Sequence, residues 1–357
     1  MSDHGISGLS RRHVLTGSTA LVTAAALSAC GGDDEVEAPV VRPDGVPVSQ
    51  FGKESTAEEV TAGLDLSGKT AVITGCNSGL GYETMRVLAL RGAHVFGIAR
   101  NIDKAAEACN SVEGKATPFA GDLEKFDTMA ACADAIAATG TPIDMLILNA
   151  GVMALPELQQ VNGIERHFVI NHLGHFILAN RLMEQVKAAP QGRFVTVSSQ
   201  GYMWAPESGI QFDNLDGTWG EYVPNEAYGH SKLANGLFSI ELARRLEGTT
   251  ATSNSIHPGV INTNLGRHFP WYTKVMANLF SWALPFFKSV EAGAATETYA
   301  ATAPALAQVS GFHFEDCNPV VAGYNMENAD MAQKLWMVSE ELTKPYLGTS
   351  DGDSQQS

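Results

Sequence analysis

A glycine-rich turn between a predicted strand and a predicted helix is the feature that most constrains how this chain can fold. The apolar run at 70–73 predicts a strand, and the pattern from Tyr82 to Arg91 predicts a helix that Gly92 ends. The segment 74–81 joins them. Its glycines permit a tight turn and a close approach of backbone to a pyrophosphate, for which the helix N-terminus supplies N–H donors. The segment therefore predicts a dinucleotide site, with an ordinary strand–helix turn as the alternative for a glycine motif alone.

Apolar runs and helical patterns keep alternating after this turn. Further strands are predicted at 94–98, 116–119, 143–148, 193–198, 251–256 and, as the last one, 311–314. Helices are predicted at 104–109, 125–138, 163–188 and around Tyr228 as far as Leu246. Such alternation implies a parallel sheet covered on both faces. We expect one doubly wound α/β domain, a Rossmann fold, over residues 64–347; a barrel is disfavoured because the elements do not form eight regular units.

Composition narrows the functional classes. The chain has 357 residues, of which 45% are hydrophobic, so it can bury a large core. Its formal net charge of −16 argues against nucleic-acid binding, which usually needs a basic face. Four cysteines show neither metal-ligand spacing nor a disulfide framework, and we expect them to be small buried residues: Cys76, Cys109, Cys132 and Cys317. No metal site is predicted.

The N-terminal residues 1–29 have the pattern of an export signal. Arg11 and Arg12 form a twin-arginine pair, and the mildly apolar run that follows is shorter than the about 20 residues of a membrane span. The sequence Leu-Ser-Ala-Cys-Gly ending this run is similar to a bacterial lipoprotein cleavage box, which predicts lipidation of Cys30. We expect a periplasmic protein or a membrane-anchored lipoprotein. The alternative is a disordered Ala-rich terminus on a cytoplasmic protein.

Two further segments are predicted to lie outside the fold. Residues 30–63 are polar, acidic and spaced by prolines, which predicts a flexible tether. Residues 348–357 are small and polar, which predicts a disordered tail.

Tyr228 and Lys232 stand four residues apart in a predicted helix, so their side chains share one face. A nearby ammonium favours the phenolate, and we therefore expect the pKa of Tyr228 to lie below its usual value of about 10. A tyrosine tuned in this way can give and take a proton. The spacing alone is weak, because a surface pair at i and i+4 is common.

Several further motifs stand in a fixed order around this pair. The glycine turn reads TGxxxGxG, and Asn149-Ala150-Gly151 follows the fourth strand. Asn171 opens the helical motif Asn-His-Leu-Gly-His-Phe, and Ser199 ends a Val-Ser-Ser strand. A His-Pro-Gly turn at 257–259 and Thr263 come after the Tyr–Lys pair. Over residues 64–314 the chain resembles the short-chain dehydrogenases/reductases, in particular compact, retinol-dehydrogenase-like members.

This resemblance implies a nicotinamide cofactor and its binding residues. They would be Thr74, Gly75, Asn77, Ser78, Gly79, Leu80 and Gly81 in the glycine turn, Asp122 and Leu123 at the adenine, Asn149, Ala150 and Gly151, then Tyr228, Lys232, Pro258, Gly259 and Thr263 around the nicotinamide ribose and carboxamide.

NAD-preferring relatives usually have an aspartate directly after the second strand. Here Ala99 is followed by Arg100, whose guanidinium can pair with a 2′-phosphate. We expect NADP(H) to be preferred; Ser78, where some NADP-preferring relatives have a basic residue, leaves NAD(H) open.

The resemblance also assigns catalytic roles. Tyr228 would exchange a proton with the substrate oxygen, and Ser199 would hold and polarise that oxygen. Lys232 would bind the nicotinamide ribose and lower the pKa of the tyrosine, and Asn171 would fix a water that links Lys232 to solvent. The predicted reaction is the interconversion of an alcohol and a carbonyl by hydride transfer.

Aromatic residues dominate the two segments that border the substrate cleft in relatives. They are Tyr202, Trp204, Trp219 and Tyr222 in the first segment, which also contains Met203, and Phe269, Trp271, Tyr272, Phe280, Trp282, Phe286 and Phe287 in the second. They predict a large apolar pocket for a small-molecule substrate, a lipophilic alcohol or carbonyl such as a retinoid-, steroid- or fatty-aldehyde-like compound. The alternatives are an apolar lid, a membrane-facing patch, or ordinary helix core.

Two rival functions stay open at this point. One is a membrane-tethered nucleotide-binding protein without turnover, and the other is a nucleotide-sugar epimerase, although epimerases usually show TGxxGxxG and a larger C-terminal domain. A homo-oligomer is also open. The predicted export conflicts with the scarcity of reduced nucleotide outside the cytoplasm, which suggests that the enzyme retains its NADP(H); an exported form purified without nucleotide would contradict this.

Overall fold

The fold is built on one eight-stranded sheet, as seen in a computed structural model that describes residues 40–153, 155–261, 287–323 and 325–348. Its strands are β1 (Thr70–Thr74), β2 (His94–Ala99), β3 (Lys115–Ala120), β4 (Met145–Leu148), β7 (Arg193–Val197), β8 (Thr252–His257), β11 (His313–Glu315) and β12 (Asn318–Val320). Their spatial order is β12-β11-β8-β7-β4-β1-β2-β3, and every neighbouring pair is parallel except β11–β12. Two short ladders lie outside this sheet: β5 (Gln160–Val161) with β6 (Ile164–Glu165), and β9 (Val260–Ile261) with β10 (Phe287–Lys288).

Helices cover both faces of the sheet. They are α1 (Ala57–Val60), α2 (Gly79–Leu90), α3 (Ile102–Ser111), α4 (Phe126–Ala137), α5 (Arg166–Phe168), α6 (Gly174–Arg181), α7 (Met183–Lys187), α8 (Pro224–Arg245), α9 (Val290–Thr302) and α10 (Ala329–Thr343). A π-helical turn (Val169–Leu173) joins α5 to α6, and short 3₁₀ turns occur at Gln200–Trp204, Phe212–Asn214, Pro304–Leu306 and Lys344–Tyr346. The predicted doubly wound, single-domain α/β fold is confirmed.

The core has two parts because successive strand residues point to opposite faces. Val72 packs with α4, α6, α8 and α10 on one face, whereas Ala71 and Ile73 pack with α2, α3 and α9 on the other. The central strands β1, β4, β7 and β8 are buried along their whole length. The carboxyl ends of these four strands therefore meet at one rigid edge, where the residues that follow each strand are brought together.

The prediction that residues 30–63 form a flexible tether is wrong for residues 41–63, because these pack on the domain. Asn318 accepts the N–H of Ser49 (2.8 Å) and donates to the carbonyl of Phe51 (2.8 Å), and Phe51 packs on the core. Helix α1 begins with a capping box formed by Thr56 and Glu59. The acidic, Pro-spaced composition of residues 30–63 gave no indication of these few anchoring residues.

Two further expectations differ from the structure. The strand near 311–314 is not the last, because a turn at Asp316 and Cys317, both with positive φ, leads into β12. Pro319 in β12 is compatible with an edge strand, where one side forms no ladder. The predicted long helix at 163–188 is divided into α5, the π-helical turn, α6 and α7, and its first residues form β6.

The predicted signal peptide (1–29), Cys30 and all of the predicted tail except Gly348 lie outside the described residues. Within the described ranges, no helix is long and apolar enough to cross a bilayer.

Candidate active site

The glycine turn lies at the carboxyl end of β1 and holds its predicted form. The N–H of Gly75 donates to the carbonyl of Ile98 in β2 (2.9 Å), and Gly75 has a φ of +77°, which favours glycine. A Cβ at Gly81 would lie 2.4 Å from Nδ2 of Asn149, so only glycine fits there. Ser78, at the start of α2, makes no side-chain capping bond, which leaves the first N–H groups of this helix available to an anion.

The other residues of this turn divide into exposed and packed groups. Asn77 and Ser78 are exposed, and Gly79 begins α2. The side chain of Leu80 packs against Ala57 and its neighbours, so this residue has only its backbone for a nucleotide.

A hydroxyl ties the glycine turn to the Asn-Ala-Gly turn that follows β4. Oγ1 of Thr74 accepts the N–H groups of Asn149 and Ala150, each at 3.0 Å. The amide of Asn149 donates in return to the carbonyl of Thr74 (2.8 Å). The two predicted motifs are thus one hydrogen-bonded unit at the sheet edge.

A cleft of about 270 Å³ opens beside the end of β2. It is lined by Asn77, Ala99, Arg100, Asn101, Lys104 and Asp122. Arg100 and Lys104 are both exposed, and the predicted adenine residue Asp122 reaches the same cleft. Leu123 is instead buried against Gly174. Sequence reasoning missed Lys104, although its spacing of four residues from Arg100 would have signalled a second cation.

Tyr228 and Lys232 lie together in the first half of α8, both 3% exposed. Lys232 Nζ donates to the carbonyl of Val197 at the end of β7 (2.9 Å) and lies 5.8 Å from the centroid of the Tyr228 ring. Ser199 follows β7, accepts the N–H of Gly201 (3.1 Å) and is hydrogen-bonded to the tyrosine. The predicted Ser–Tyr–Lys group is therefore assembled in space.

The pKa of Tyr228 is shifted opposite to the predicted direction. Burial raises this pKa to about 12, and the hydrogen bond from Ser199 only partly opposes the rise. The prediction was wrong because it considered the ammonium and not the loss of solvent, which destabilises a phenolate. Lys232 is affected by the same burial, which lowers its pKa to about 8.

Asn171 lies in the π-helical turn and is fully buried. Its side chain accepts the N–H of Val152 (2.8 Å) and donates to the carbonyl of Val152 (3.0 Å) and to Oγ of Ser231 (2.9 Å). A Cβ at Gly151 would lie 3.0 Å from Oδ1 of Asn171 and 3.6 Å from Nζ of Lys232. Asn171 thus fixes the segment after the Asn-Ala-Gly turn beside the lysine. Its predicted contact with a water stays a prediction.

The turn after β8 lies at the same edge of the sheet, at the carboxyl ends of the parallel strands. His257 accepts the N–H of Gln200 (3.1 Å), which fixes the residue after Ser199. Pro258 is buried, and Gly259, with a φ of +94°, lies against the side chain of Lys288. Thr263 lies outside the described residues.

The predicted aromatic pocket is only partly formed by the side chains that the structure describes. Trp204 is 47% exposed, and its ring centroid lies 6.2 Å from that of Tyr228. Met203 and Trp219 are also exposed. Tyr202, in contrast, is buried, and Tyr222 donates to Glu165 (3.1 Å). Phe287 is half-buried in β10, and the other predicted aromatics of the second segment lie outside the described residues.

Among the described residues, no group of three or more His, Cys, Asp or Glu side chains is arranged to hold a metal ion. The described cysteines are four free, buried thiols. His230, which lies inside the Tyr–Lys motif, accepts the N–H of Gln211 (2.9 Å) and packs on the ring of Phe168, with 5.5 Å between the ring centroids.

The lowered pKa of Lys232 can be measured without knowing which reaction the protein catalyses. With ¹³Cε-labelled lysine, we expect one NMR signal to titrate near pH 8, while ordinary lysines titrate near about 10.4. Because the pKa of Lys232 is lower in the folded than in the unfolded chain, this group destabilises the fold below pH 8, and the penalty disappears as the pH rises towards 10.5. A Lys232→Met variant assigns the signal. If every lysine of the protein titrated above pH 10, this result would contradict the burial of Lys232.

Known proteins resemble this chain in sequence and in fold. A family model described as short chain dehydrogenase matches residues 69–207. WW domain-containing oxidoreductase of Pongo abelii is 34% identical over 330 residues, covering 90% of this chain and 77% of that protein. Retinol dehydrogenase 11 of Mus musculus is 39% identical over 287 residues, covering 79% and 88%. The crystal structure of an uncharacterised protein from Mycobacterium paratuberculosis superposes with a TM-score of 0.65 at 30% identity, covering 82% of this chain and 98% of the other.

Proposed function

Because this chain belongs to the short-chain dehydrogenase/reductase family of oxidoreductases, we propose that it interconverts an alcohol and a carbonyl with NADP(H), using Tyr228 as general acid and base. The observation that carries this proposal is the Ser199–Tyr228–Lys232 group, in which the tyrosine and the lysine are buried. It lies beside Gly151 of the Asn-Ala-Gly turn, which is bonded to the glycine turn. Folding alone does not require an ammonium buried beside a phenol, since burying a charge is costly.

The residues at the sheet edge fit a dinucleotide. The uncapped start of α2 suits a pyrophosphate, and the cleft at Arg100 has room and charge for an adenosine ribose. The segment at Gly151, fixed by Asn171 and close to Lys232, suits the nicotinamide end. When bound, the nicotinamide supplies the hydride in reduction and accepts it in oxidation.

Ser199 and Tyr228 bind the substrate oxygen in this proposal. In the structure Ser199 accepts the N–H of Gly201 and is hydrogen-bonded to Tyr228; when the substrate oxygen lies between the two side chains, the O–H of Ser199 donates to that oxygen instead. With a pKa of about 12, Tyr228 is protonated at neutral pH and is a second O–H donor to the same oxygen. Two donors at this position stabilise the negative charge that develops on the oxygen during reduction.

Lys232 supports the proton transfer from Tyr228. Its ammonium lies 5.8 Å from the ring centroid, in surroundings of low dielectric, so it stabilises the phenolate as the proton leaves. At pH 7 the lysine is mostly charged, because its pKa is about 8. The same ammonium can give its proton to the phenolate and restore the acid.

We further propose an apolar substrate. Trp204 presents a half-exposed ring beside Tyr228, and exposed Met203 lies next to it in the chain. Such surface suits the hydrocarbon part of a lipophilic aldehyde, ketone or alcohol. A series of aldehydes of increasing chain length, assayed with NADPH, tests this: we expect kcat/KM to rise with length, and a preference for small polar carbonyls would contradict it.

The Tyr228→Phe variant tests the proposed reaction. We expect turnover to fall by at least about a hundredfold, because general acid catalysis contributes on this order, while nucleotide binding stays close to that of the unchanged enzyme. Steady-state rates and a fluorescence titration with NADPH measure the two effects. Tyr202→Phe is the control, since Tyr202 donates to the carbonyl of Ala322 and not to the site. Retained turnover in Tyr228→Phe would exclude the assigned role.

Variants of Arg100 and Lys104 test the preference for NADP(H). Each cation can pair with a 2′-phosphate, and a lost charged hydrogen bond is worth about 1.5–3 kcal/mol, so Arg100→Ala and Lys104→Ala should each raise the Kd of NADPH by about tenfold or more. The Kd of NADH should change little. Lys187→Ala is the control for surface charge, because Lys187 pairs with Glu184. Equal losses for NADPH and NADH would contradict a 2′-phosphate site.

A further inference from the structure

The buried side chain of His175 takes part in none of the steps above, yet both of its ring nitrogens are bonded to parts of the site. Nδ1 lies 3.0 Å from the carbonyl oxygen of Asn171, and Nε2 lies 2.9 Å from Oγ1 of Thr74. The residue is 2% exposed and lies in the first turn of α6. One ring therefore connects the end of β1 to the π-helical turn.

The partners determine which nitrogen carries the proton. A carbonyl oxygen only accepts, so Nδ1 of His175 must be the donor to Asn171, and Nε2 has a lone pair. The hydroxyl of Thr74 then donates to Nε2 while it accepts the N–H groups of Asn149 and Ala150. The single proton and both lone pairs of this hydroxyl are in use.

The same network continues to the helix that carries the proton-transfer pair. Asn171 holds both backbone groups of Val152 and donates to Oγ of Ser231, the residue before Lys232. His175 thus stands between the hydroxyl that joins the two nucleotide turns and the asparagine that fixes the segment beside the lysine.

The ring has to be neutral for this arrangement. A protonated ring would make Nε2 a second donor towards Thr74, whose lone pairs are already occupied. Burial, assisted by the positive charge of Lys232, lowers the pKa of His175 to about 4, although its bond to Asn171 acts in the opposite direction. The ring is therefore neutral over the working range of most enzymes.

We propose that His175 is a positioning residue, which couples the nucleotide-binding turns at Thr74 and Asn149 to Asn171 and, through it, to the Lys232 segment. The proposal rests on the function proposed above. In its absence both groups of residues would keep their places in the sheet edge but lose their fixed spacing, so nucleotide affinity and turnover would fall together.

His172 is a matched control in the same motif. It is also 2% exposed, and burial lowers its pKa to about 3. Its Nε2 bonds to Oγ of Ser339 in α10 (2.7 Å), and its ring packs against those of Phe168 and Phe238. Replacing His172 removes a buried histidine of equal size without touching the coupling.

The experiment compares His175→Phe with His172→Phe. For His175→Phe we expect the Kd of NADPH to rise and kcat to fall, each by about tenfold or more, since two buried hydrogen bonds are lost. Hydrogen–deuterium exchange in the peptide that contains residues 149–152 should also become faster. His172→Phe should lower the melting temperature but leave these three quantities unchanged. The proposal is overturned if the two variants behave alike, or if His175→Phe leaves all three as they were.

A second pair of variants covers the case in which His175→Phe does not fold. His175→Gln keeps an amide donor and acceptor, and we expect it to recover part of the affinity and of the exchange protection. Thr74→Val removes the partner hydroxyl, and its effect on NADPH affinity should be non-additive with that of His175→Gln. Additive effects would overturn the coupling. If the unchanged enzyme reduces no carbonyl, the proposed function fails, whereas the exchange at 149–152 still decides for or against His175.

Discussion

The buried ammonium of Lys232, which has no counter-charge among the described residues, is the group on which the site depends. In the part of the chain that the structure describes, no carboxylate lies within ion-pair distance of it, and its hydrogen bond goes to the carbonyl of Val197. Burying a charge without a counter-charge is costly, and the lowered pKa of about 8 is the expression of that cost. Burial lowers the pKa values of His175 and His257, and the charge of Lys232 adds to this effect in both cases, after that of Lys288 in the case of His257. Both imidazoles near the ammonium of Lys232 therefore stay neutral.

The parallel sheet explains why so few residues suffice to build this site. The ends of β1, β4, β7 and β8 meet at one edge, and each contributes the residues that come directly after it. Hydrogen bonds then join these turns: Thr74 holds the turn after β4, and His257 holds the residue after Ser199. The long helix α8 adds the tyrosine and the lysine from one side. The arrangement is rigid because each of these strands is buried between helices.

Sequence patterns predicted those features of the molecule that depend on residues close together in the chain. The glycine turn, the alternation of strands with helices and the shared helix face of Tyr228 and Lys232 follow from spacing and from apolar periodicity, and the structure contains them. The pKa of Tyr228 was predicted in the wrong direction because its value depends on burial, which a single sequence does not reveal. The anchoring of residues 41–63 was missed for a related reason, since it rests on Asn318, more than 250 residues away in the chain. Lys104 was missed although it stands four residues after Arg100, and His175 was missed although it lies in the Asn-His-Leu-Gly-His-Phe motif. Only the structure shows the cleft that Lys104 lines and the bonds of His175 to Thr74 and Asn171.

The proposed chemistry joins a hydride to a carbon and a proton to an oxygen at one place. The most direct test uses NADPH deuterated at the transferred position of C4 together with the carbonyl compound that the enzyme reduces fastest. The account predicts an alcohol that is one mass unit heavier, with deuterium on the former carbonyl carbon, and a slower kcat/KM than with unlabelled NADPH. Oxidation of NADPH without deuterium in the alcohol would contradict it.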